Sequence, residues 1–371
     1  MCKNHTSSSK SLSKIPVGFR IAPEWEPHKR TIMAWPASKY IWRNLLTGAQ
    51  RNITQLAQAL SRFEPVQVLA SPDQVPHAKK ALGSKIEVIP IAVDDFWTRD
   101  TAPLFLTKGK ETIGVDYNFN GWGKKIPLKY RKNDGSVSRN YLTHYNFPRL
   151  QSNLIAEGGA IETDGQGTLL LTESSIVNNN RNPGMGLKEI EAALKSELGI
   201  QKIIWLRGVK GKDITDSHVD TLARFVAPGI VVVSRPGPAK KNDPDSAIWA
   251  QQYSQAIQVL TQATDAKGNR LKIVQLPEPD YEKIRGMPAE GAADEISLEV
   301  FRDSFLASYA NFYIANGAII VPEFGDVEAD RMAQGILQGV FPGRQIVPLN
   351  IDYIATGGGG IHCATHDQPE A

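Results

Sequence analysis

The sequence predicts an α/β fold built from one repeated unit of hairpin, helix and strand. Three stretches carry this pattern clearly and two more carry degraded copies. The polar, motif-like residues recur at one place in most units, the entrance to the hairpin. With 371 residues, 41% of them hydrophobic, the chain can bury a large core.

The opening, MCKNHTSSSKSLSKIP, is polar and lacks the apolar core of a secretory signal. Residues 1–15 read as a flexible tail ahead of a single domain, 16–371. RTIMAWP, NITQLAQALSRF and PVQVLA then give strand, helix and strand without a visible hairpin. PLFLTKGKETIGVDYN reads as a hairpin, but the Gly-, Asn- and aromatic-rich stretch after it does not look helical. AIETDGQGTLLLTE turns at Asp164-Gly165. The helix LKEIEAALKSELG puts Leu187, Ile190, Leu194 and Leu198 on one face and stops at Gly199, and QKIIWL closes that unit. ARFVAPGIVVVS turns at a Pro-Gly pair, followed by the helical run SAIWAQQYSQAIQVLTQATD and the strand LKIVQL. NFYIANGAIIVPEF turns at Asn316-Gly317, a dipeptide suited to a type I′ turn, and leads into EADRMAQGILQGVF and QIVPLN. Only the pattern repeats; the residue identities differ. One unit cannot bury its own face, so the units stack or close into a ring. An ordinary layered α/β domain is the alternative.

Composition narrows the function. Lys and Arg number 42 against 39 Asp and Glu, a net charge of +3, and the basic residues are dispersed, which argues against a nucleic-acid binder. No apolar run approaches the ~18 residues of a membrane span. The two cysteines, Cys2 and Cys363, lie at opposite ends of the chain. They make no disulfide framework and point to a reducing, cytoplasmic setting.

DDFWTRDTAP precedes PLFL, AEGGA precedes the turn at Asp164, DSHVD opens TLARFV, and ASYAN opens FYIANG. In a closed ring these equivalent ends would meet. GGGGIHCATHDQP follows the last strand and holds Cys363. His218 and Asp220 stand two residues apart at a strand start, so both should face one way. A His beside a carboxylate can act as an oriented acid or base, although a surface pair capping a strand explains so short a pattern as well. A single cysteine is commonly an inert buried thiol; here Gly357 to Gly360, which permit close approach of a ligand, and His362 favour a reactive thiolate. No Gly-Lys-Ser/Thr follows, so the glycines do not form a P-loop, and Gly184-Met-Gly186 lacks the third glycine of a dinucleotide loop. Asp94, Asp95, Asp100 and Glu157 supply carboxylates suited to a planar guanidinium. Trp97 and Trp122 either stack on a cation or fill the core. His218, His362, Cys363 and His366 make a thin ligand set for zinc.

Taken together and in order, DDFWTRDTAP, EGGAIETDGQGTLLLTESSIVNNNRNP, DSHVDTLARFV, SYANFYIANGAIIVPEFGD and GGGGIHC resemble the agmatine deiminases, which group with Porphyromonas-type peptidyl-arginine deiminases in the pentein superfamily. The likeness covers nearly the whole chain beyond the tail. It implies a five-bladed pseudo-symmetric α/β propeller, with Cys363 as nucleophile, His218 as general acid/base, and Asp100, Glu157 and Asp220 around the guanidinium. Trp97 would line the substrate channel, with Trp122, Gly359 and Gly360 as further substrate-binding candidates and Asp213 or Asp216 as candidates for the distal amine. The implied substrate is a small cationic guanidine, agmatine; no metal or organic cofactor is implied. Homodimers are common among such enzymes, and the sequence marks no interface. Two departures bear on the substrate: Ser217 stands where the family commonly has Gly, and Thr365-His366-Asp367 replaces a frequent T-Q-Q and looks like some peptidyl-arginine deiminases. Peptidyl-arginine or arginine hydrolysis, amidino transfer and non-catalytic binding are the alternatives. The carboxylate of free arginine would want a cation, for which Arg181 and Arg224 are available.

Overall fold

The computed structural model describes residues 10–237, 244–284 and 305–371, and five sheets lie among them. Three blades match the repeated unit. In each, a first strand pairs antiparallel with a middle strand, and a helical crossover brings a third strand in parallel beside it. The third blade comprises Glu162–Thr163, Thr168–Thr172 and Lys202–Leu206. The fourth comprises Ala223–Ala227, Ile230–Arg235 and Lys272–Pro277. The fifth comprises Tyr313–Ala315, Ala318–Glu323 and Gln345–Asn350. Their middle strands carry the runs Leu169–Leu171, Val231–Val233 and Ile319–Val321, all fully buried. Such uninterrupted apolar runs suit strands covered on both faces.

The crossover helices follow the apolar periodicity. Leu187–Leu198 buries Ile190, Leu194 and Leu198, leaves Leu187 half-buried, and ends at Gly199 in the left-handed region, φ 67°. Helix Pro244–Gln262 also packs on strand Lys202–Leu206 of the preceding blade, Val327–Val340 on Lys272–Pro277, and Leu46–Leu60 on Gln345–Asn350. Each helix is thus wedged between its own blade and its predecessor, and the first blade closes against the fifth. The result is a five-bladed α/β propeller.

The degraded copies differ from expectation for identifiable reasons. The first blade does have an antiparallel partner, but it comes from the far end of the chain. His366–Pro369 pairs with His28–Ala34, whose other edge continues in parallel to Val66–Ala70 and Glu87–Pro90. The second blade, Leu104–Lys108, Glu111–Asp116 and Arg149–Gln151, contains a short helix after all, Val137–His144, burying Val137, Tyr141 and Leu142. Its sheet is extended by Arg20–Ile21 and by Ser11–Leu12, which pairs in parallel with Arg149–Leu150. The stretch expected as a tail, 1–15, therefore contributes a strand; residues 1–9 lie outside the described residues. The Asn316-Gly317 turn is not type I′, because Asn316 keeps a negative φ and only Gly317 is positive, at 79°. Tertiary bonds dictate this. The Asn316 amide bridges the backbone N–H and C=O of His28, and its own N–H donates to Glu64. No helix among the described residues is long and apolar enough to cross a membrane.

Candidate active site

One short turn precedes the first strand of every blade: Thr98–Thr101, Gly158–Ala160, Val219–Thr221 and Tyr309–Asn311, and finally the hydrogen-bonded turn 361–364 ahead of His366. Consecutive turns touch around the propeller axis. They deliver Asp100, Glu157 with Gly159, His218 with Asp220, Asn311, and Cys363. The convergence expected at the hairpin entrances is what the ring produces. His218 stands at the start of a 3₁₀ turn, Val219–Thr221, that contains Asp220, rather than both starting a strand; the turn, not strand alternation, brings both to the axis.

The Cys363 thiol lies 3.3 Å from Asn311 Nδ2 and 3.9 Å from Asp220 Oδ2. Asp220 Oδ2 also accepts from His362 Nδ1 at 2.7 Å, whereas its buried Oδ1 has no partner among the described residues. Asp100 is held from two sides: Trp122 Nε1 donates to Oδ2 at 2.8 Å and the Gly159 N–H to Oδ1 at 2.9 Å. Its Oδ1 lies 3.7 Å from His218 Nδ1, and the other ring nitrogen, Nε2, is 3.2 Å from Glu157 Oε2. Arg181, fully buried, donates from Nε to both Glu157 oxygens at 2.9 and 3.0 Å.

These charges fix one another. Burial disfavours the His218 imidazolium, yet Asp100 and Glu157 outweigh it and raise its pKa to about 9. Burial likewise opposes ionisation of Glu157, but Arg181 and His218 hold that carboxyl below its usual range. For Asp100 burial wins and its pKa rises. Burial, with Asp220 and Asp100 adding to it, drives the Cys363 thiol well above its ordinary pKa. The resting site therefore holds a neutral thiol beside a cationic histidine. The thiolate expected from the flanking glycines and His362 is not the resting state, because the His362 ring is turned to Asp220 and Glu24 instead.

Cys363 and Asp100 lie in the wall of a cavity of about 210 Å³, at the small end for ligand sites. Its walls are largely aromatic and apolar, with Trp42, Trp97, Phe119 and Trp122 prominent, and they also carry Asp95, Asp134 and Arg131. Trp97 stands where expected. Trp122 lines the cavity as well, and its indole anchors Asp100; its backbone, at φ 51° between Gly121 and Gly123, is held in the left-handed region by that contact.

Other expectations need correction. Asp216 is buried and paired with Arg181 at 2.7 Å and Lys125 at 2.9 Å, which bring its pKa down to about 2 against the penalty of burial. It is not among the cavity-lining residues and is committed to Arg181 and Lys125 rather than to a substrate amine. Asp213 is spent on the backbone N–H groups of Thr215 and Ser217 at 2.6 and 3.0 Å. These bonds hold Asp216 and Ser217 at φ 61° and 71°, so Ser217 occupies the conformation for which glycine is the usual solution. Asp94 caps Asn133. Gly359 lines the cavity, but its missing side chain makes room for Trp97, and that of Gly360 for Asn311: added Cβ atoms would lie 2.3 and 2.5 Å from them. His366 and Asp367 bond to the Pro103 carbonyl and Arg99, away from this cavity. Arg181 and Arg224 are both consumed by carboxylates.

Sequence reasoning missed Asn311, Glu24 and Gly159. A Cβ on Gly159 would sit 2.6 Å from His218 Nδ1, 3.0 Å from Asp100 Oδ1 and 3.1 Å from Asp220 Oδ2, in the middle of the constellation. Gly159→Ala is expected to keep the fold and lower kcat/KM about 100-fold or more, as ångström-scale misplacement of reacting groups does. Steady-state rates alongside circular dichroism would check this.

A ring of hairpin–helix–strand blades with cysteine, histidine and carboxylates at its axis defines a guanidine-modifying α/β propeller. The chain belongs to the Porphyromonas-type peptidyl-arginine deiminase family, whose model matches residues 20–369. It is 38% identical over 360 residues to an agmatine deiminase of Pseudomonas aeruginosa, covering 95% of this chain and 96% of that protein. To an agmatine deiminase of Medicago truncatula it is 36% identical over 367 residues, covering 95% and 96%. The solved agmatine deiminase of Enterococcus faecalis shares its fold at a TM-score of 0.86, with 31% identity over 97% of this chain and 99% of that one.

Proposed function

We propose that this protein hydrolyses the guanidinium of agmatine to N-carbamoylputrescine and ammonia, with Cys363 as nucleophile. The observation that carries the reading is the unpaired, buried Oδ1 of Asp220, a carboxylate whose other oxygen, Oδ2, lies 3.9 Å from the Cys363 thiol. It is an acceptor awaiting a planar cationic donor. A guanidinium bound there offsets the two carboxylates that add to burial in holding the thiol neutral, so the thiol gives up its proton to solvent as substrate arrives, a proton that the departing ammonia takes up as ammonium. The thiolate adds to the central carbon; His218 gives its proton to one nitrogen and ammonia leaves. Neutral His218 then takes a proton from water attacking the S-alkylthiouronium, and C–S cleavage releases the ureido product and the thiol.

The cavity favours a cationic, carboxylate-free tail. Asp95, raised to about 6 by burial, lies on its wall among aromatic residues, and we assign it, in place of Asp216, to the distal amine; Asp134 on the same wall is taken up by the Asp94 and Asp95 N–H groups. Arg131 is the one cation among the lining residues, so an arginine carboxylate would have a single partner there. A reducing cytoplasmic location, consistent with Cys363 as a free thiol, belongs to this proposal. The test is ammonia release with agmatine, arginine and a blocked arginine peptide in parallel, with product masses. Release from agmatine with the N-carbamoylputrescine mass supports it; release chiefly from the peptide would overturn it.

The resting thiol gives a separate expectation. Iodoacetamide should alkylate Cys363 slowly at pH 7 and faster as pH rises, while denatured protein reacts faster at pH 7 because its thiol regains an ordinary pKa. Fast labelling of the folded protein at pH 7 would contradict a neutral thiol.

A further inference from the structure

Beneath the nucleophile lies a chain of buried charges that the proposed chemistry does not use. His362 Nδ1 is 2.7 Å from Asp220 Oδ2, and its Nε2 is 2.7 Å from Glu24 Oε2. Both ring nitrogens are therefore engaged by carboxylates, one on each side, which fixes the plane of the ring. Both carboxyls are held ionised. For Glu24, burial is outweighed by Arg224, His362 and Arg99. For Asp220 it is outweighed chiefly by His362, with help from His218 and Arg224.

Glu24 lies ahead of the first blade, in none of the five axial turns, yet it ties two of them, through Arg99 and His362, to the first strands of the fourth and fifth blades. Oε2 accepts from Arg99 at 2.8 Å, and Oε1 accepts from Arg224 at 3.0 Å and from the Ile314 N–H at 2.8 Å. It does not line the substrate cavity.

We infer that Glu24 is a positioning residue that acts through His362: it fixes the imidazole ring, which orients Asp220 by its Oδ2 and leaves Oδ1 as the free acceptor for the guanidinium. The inference rests on the proposed reaction. The other charged or titratable groups facing this relay are Arg99, Arg224, Glu162, Asp367, His218, Asp100 and Cys363, with His28, Tyr313 and Arg344 on the Glu24 side and His366 near His362. With an amide in place of Glu24, the His362 ring loses the carboxylate that holds it against Asp220. The His362 hydrogen bond is what chiefly lowers the Asp220 carboxyl, so Asp220 should then protonate at higher pH.

The test compares full-length wild type, E24Q, H362N and the double variant, measuring kcat and KM for agmatine across pH with thermal stability recorded alongside. H362N leaves an amide N–H for Asp220 but severs Glu24. The relay predicts that E24Q and H362N raise KM about tenfold more than they lower kcat. It also predicts the same upward shift of the acid limb of kcat/KM in both, with no further shift in the double variant, because the two residues act in one path. An unshifted acid limb in folded E24Q, with activity lost equally at all pH, would overturn the relay and leave Glu24 as a structural tie. Inactive wild type would instead reject the reaction on which the relay rests. If E24Q fails to fold, the acid limb of H362N decides: shifted upward it supports the relay, unshifted it overturns it.

Discussion

Cys363→Ala is expected to abolish turnover, by about 10⁴-fold or more, with the fold intact. The thiol makes only weak polar contacts, 3.3 Å to Asn311 and 3.9 Å to Asp220, so little structure depends on it. Direct attack of water on a resonance-stabilised guanidinium has no other route here, and removal of a nucleophile commonly costs factors of this size. The variant should still bind agmatine, since Asp100 and Asp220 remain, and binding can be read by calorimetry. A folded variant retaining wild-type rates would end the covalent mechanism.

The second large effect is at His218. His218→Gln is expected to lower kcat by about 10²–10⁴, the usual contribution of a positioned acid/base. In the proposed mechanism the imidazolium is the donor for ammonia departure, so kcat should fall as pH rises past about 9. Stability follows the same group. A histidine pKa raised on folding stabilises the protein fully below the unfolded value near 6.5, and that contribution disappears as pH climbs through about 9. The Tm difference between wild type and His218→Gln should accordingly be largest near neutrality and shrink above pH 9. A variant with normal kcat would reassign the proton transfer.

The parts of this molecule legible in sequence are those set by neighbours along the chain. The Asp164-Gly165 and Pro-Gly turns, the face Ile190, Leu194 and Leu198, and the motif placed ahead of each hairpin all follow from local periodicity and turn chemistry. The first blade was opaque because its antiparallel partner, His366–Pro369, is over 300 residues away. The second-blade helix was hidden because Gly- and Asn-rich turns separate its hairpin from the short apolar run that forms it. At the site, sequence alone cannot reveal that Arg181 and Lys125 have already neutralised Asp216, or that Gly159 occupies the space between three reacting groups. A glycine in AEGGA looks like any turn glycine until its neighbours are folded around it. Glu24 stands outside the motif blocks, and a lone carboxylate there carries no chemistry of its own until the fold brings His362 to it.

The closing strand also sets the order in which the molecule can be completed during synthesis. Strand His28–Ala34 is made early and acquires its antiparallel neighbour only when residues 366–369 emerge. Until then the ring is open and one edge of its first sheet is bare, the kind of surface that invites pairing with another nascent chain. Cys363 lies three residues before that strand. A ribosome that stops short of it leaves a polypeptide lacking both the nucleophile and the strand that seals the ring, so a truncated product is chemically silent and sticky at once.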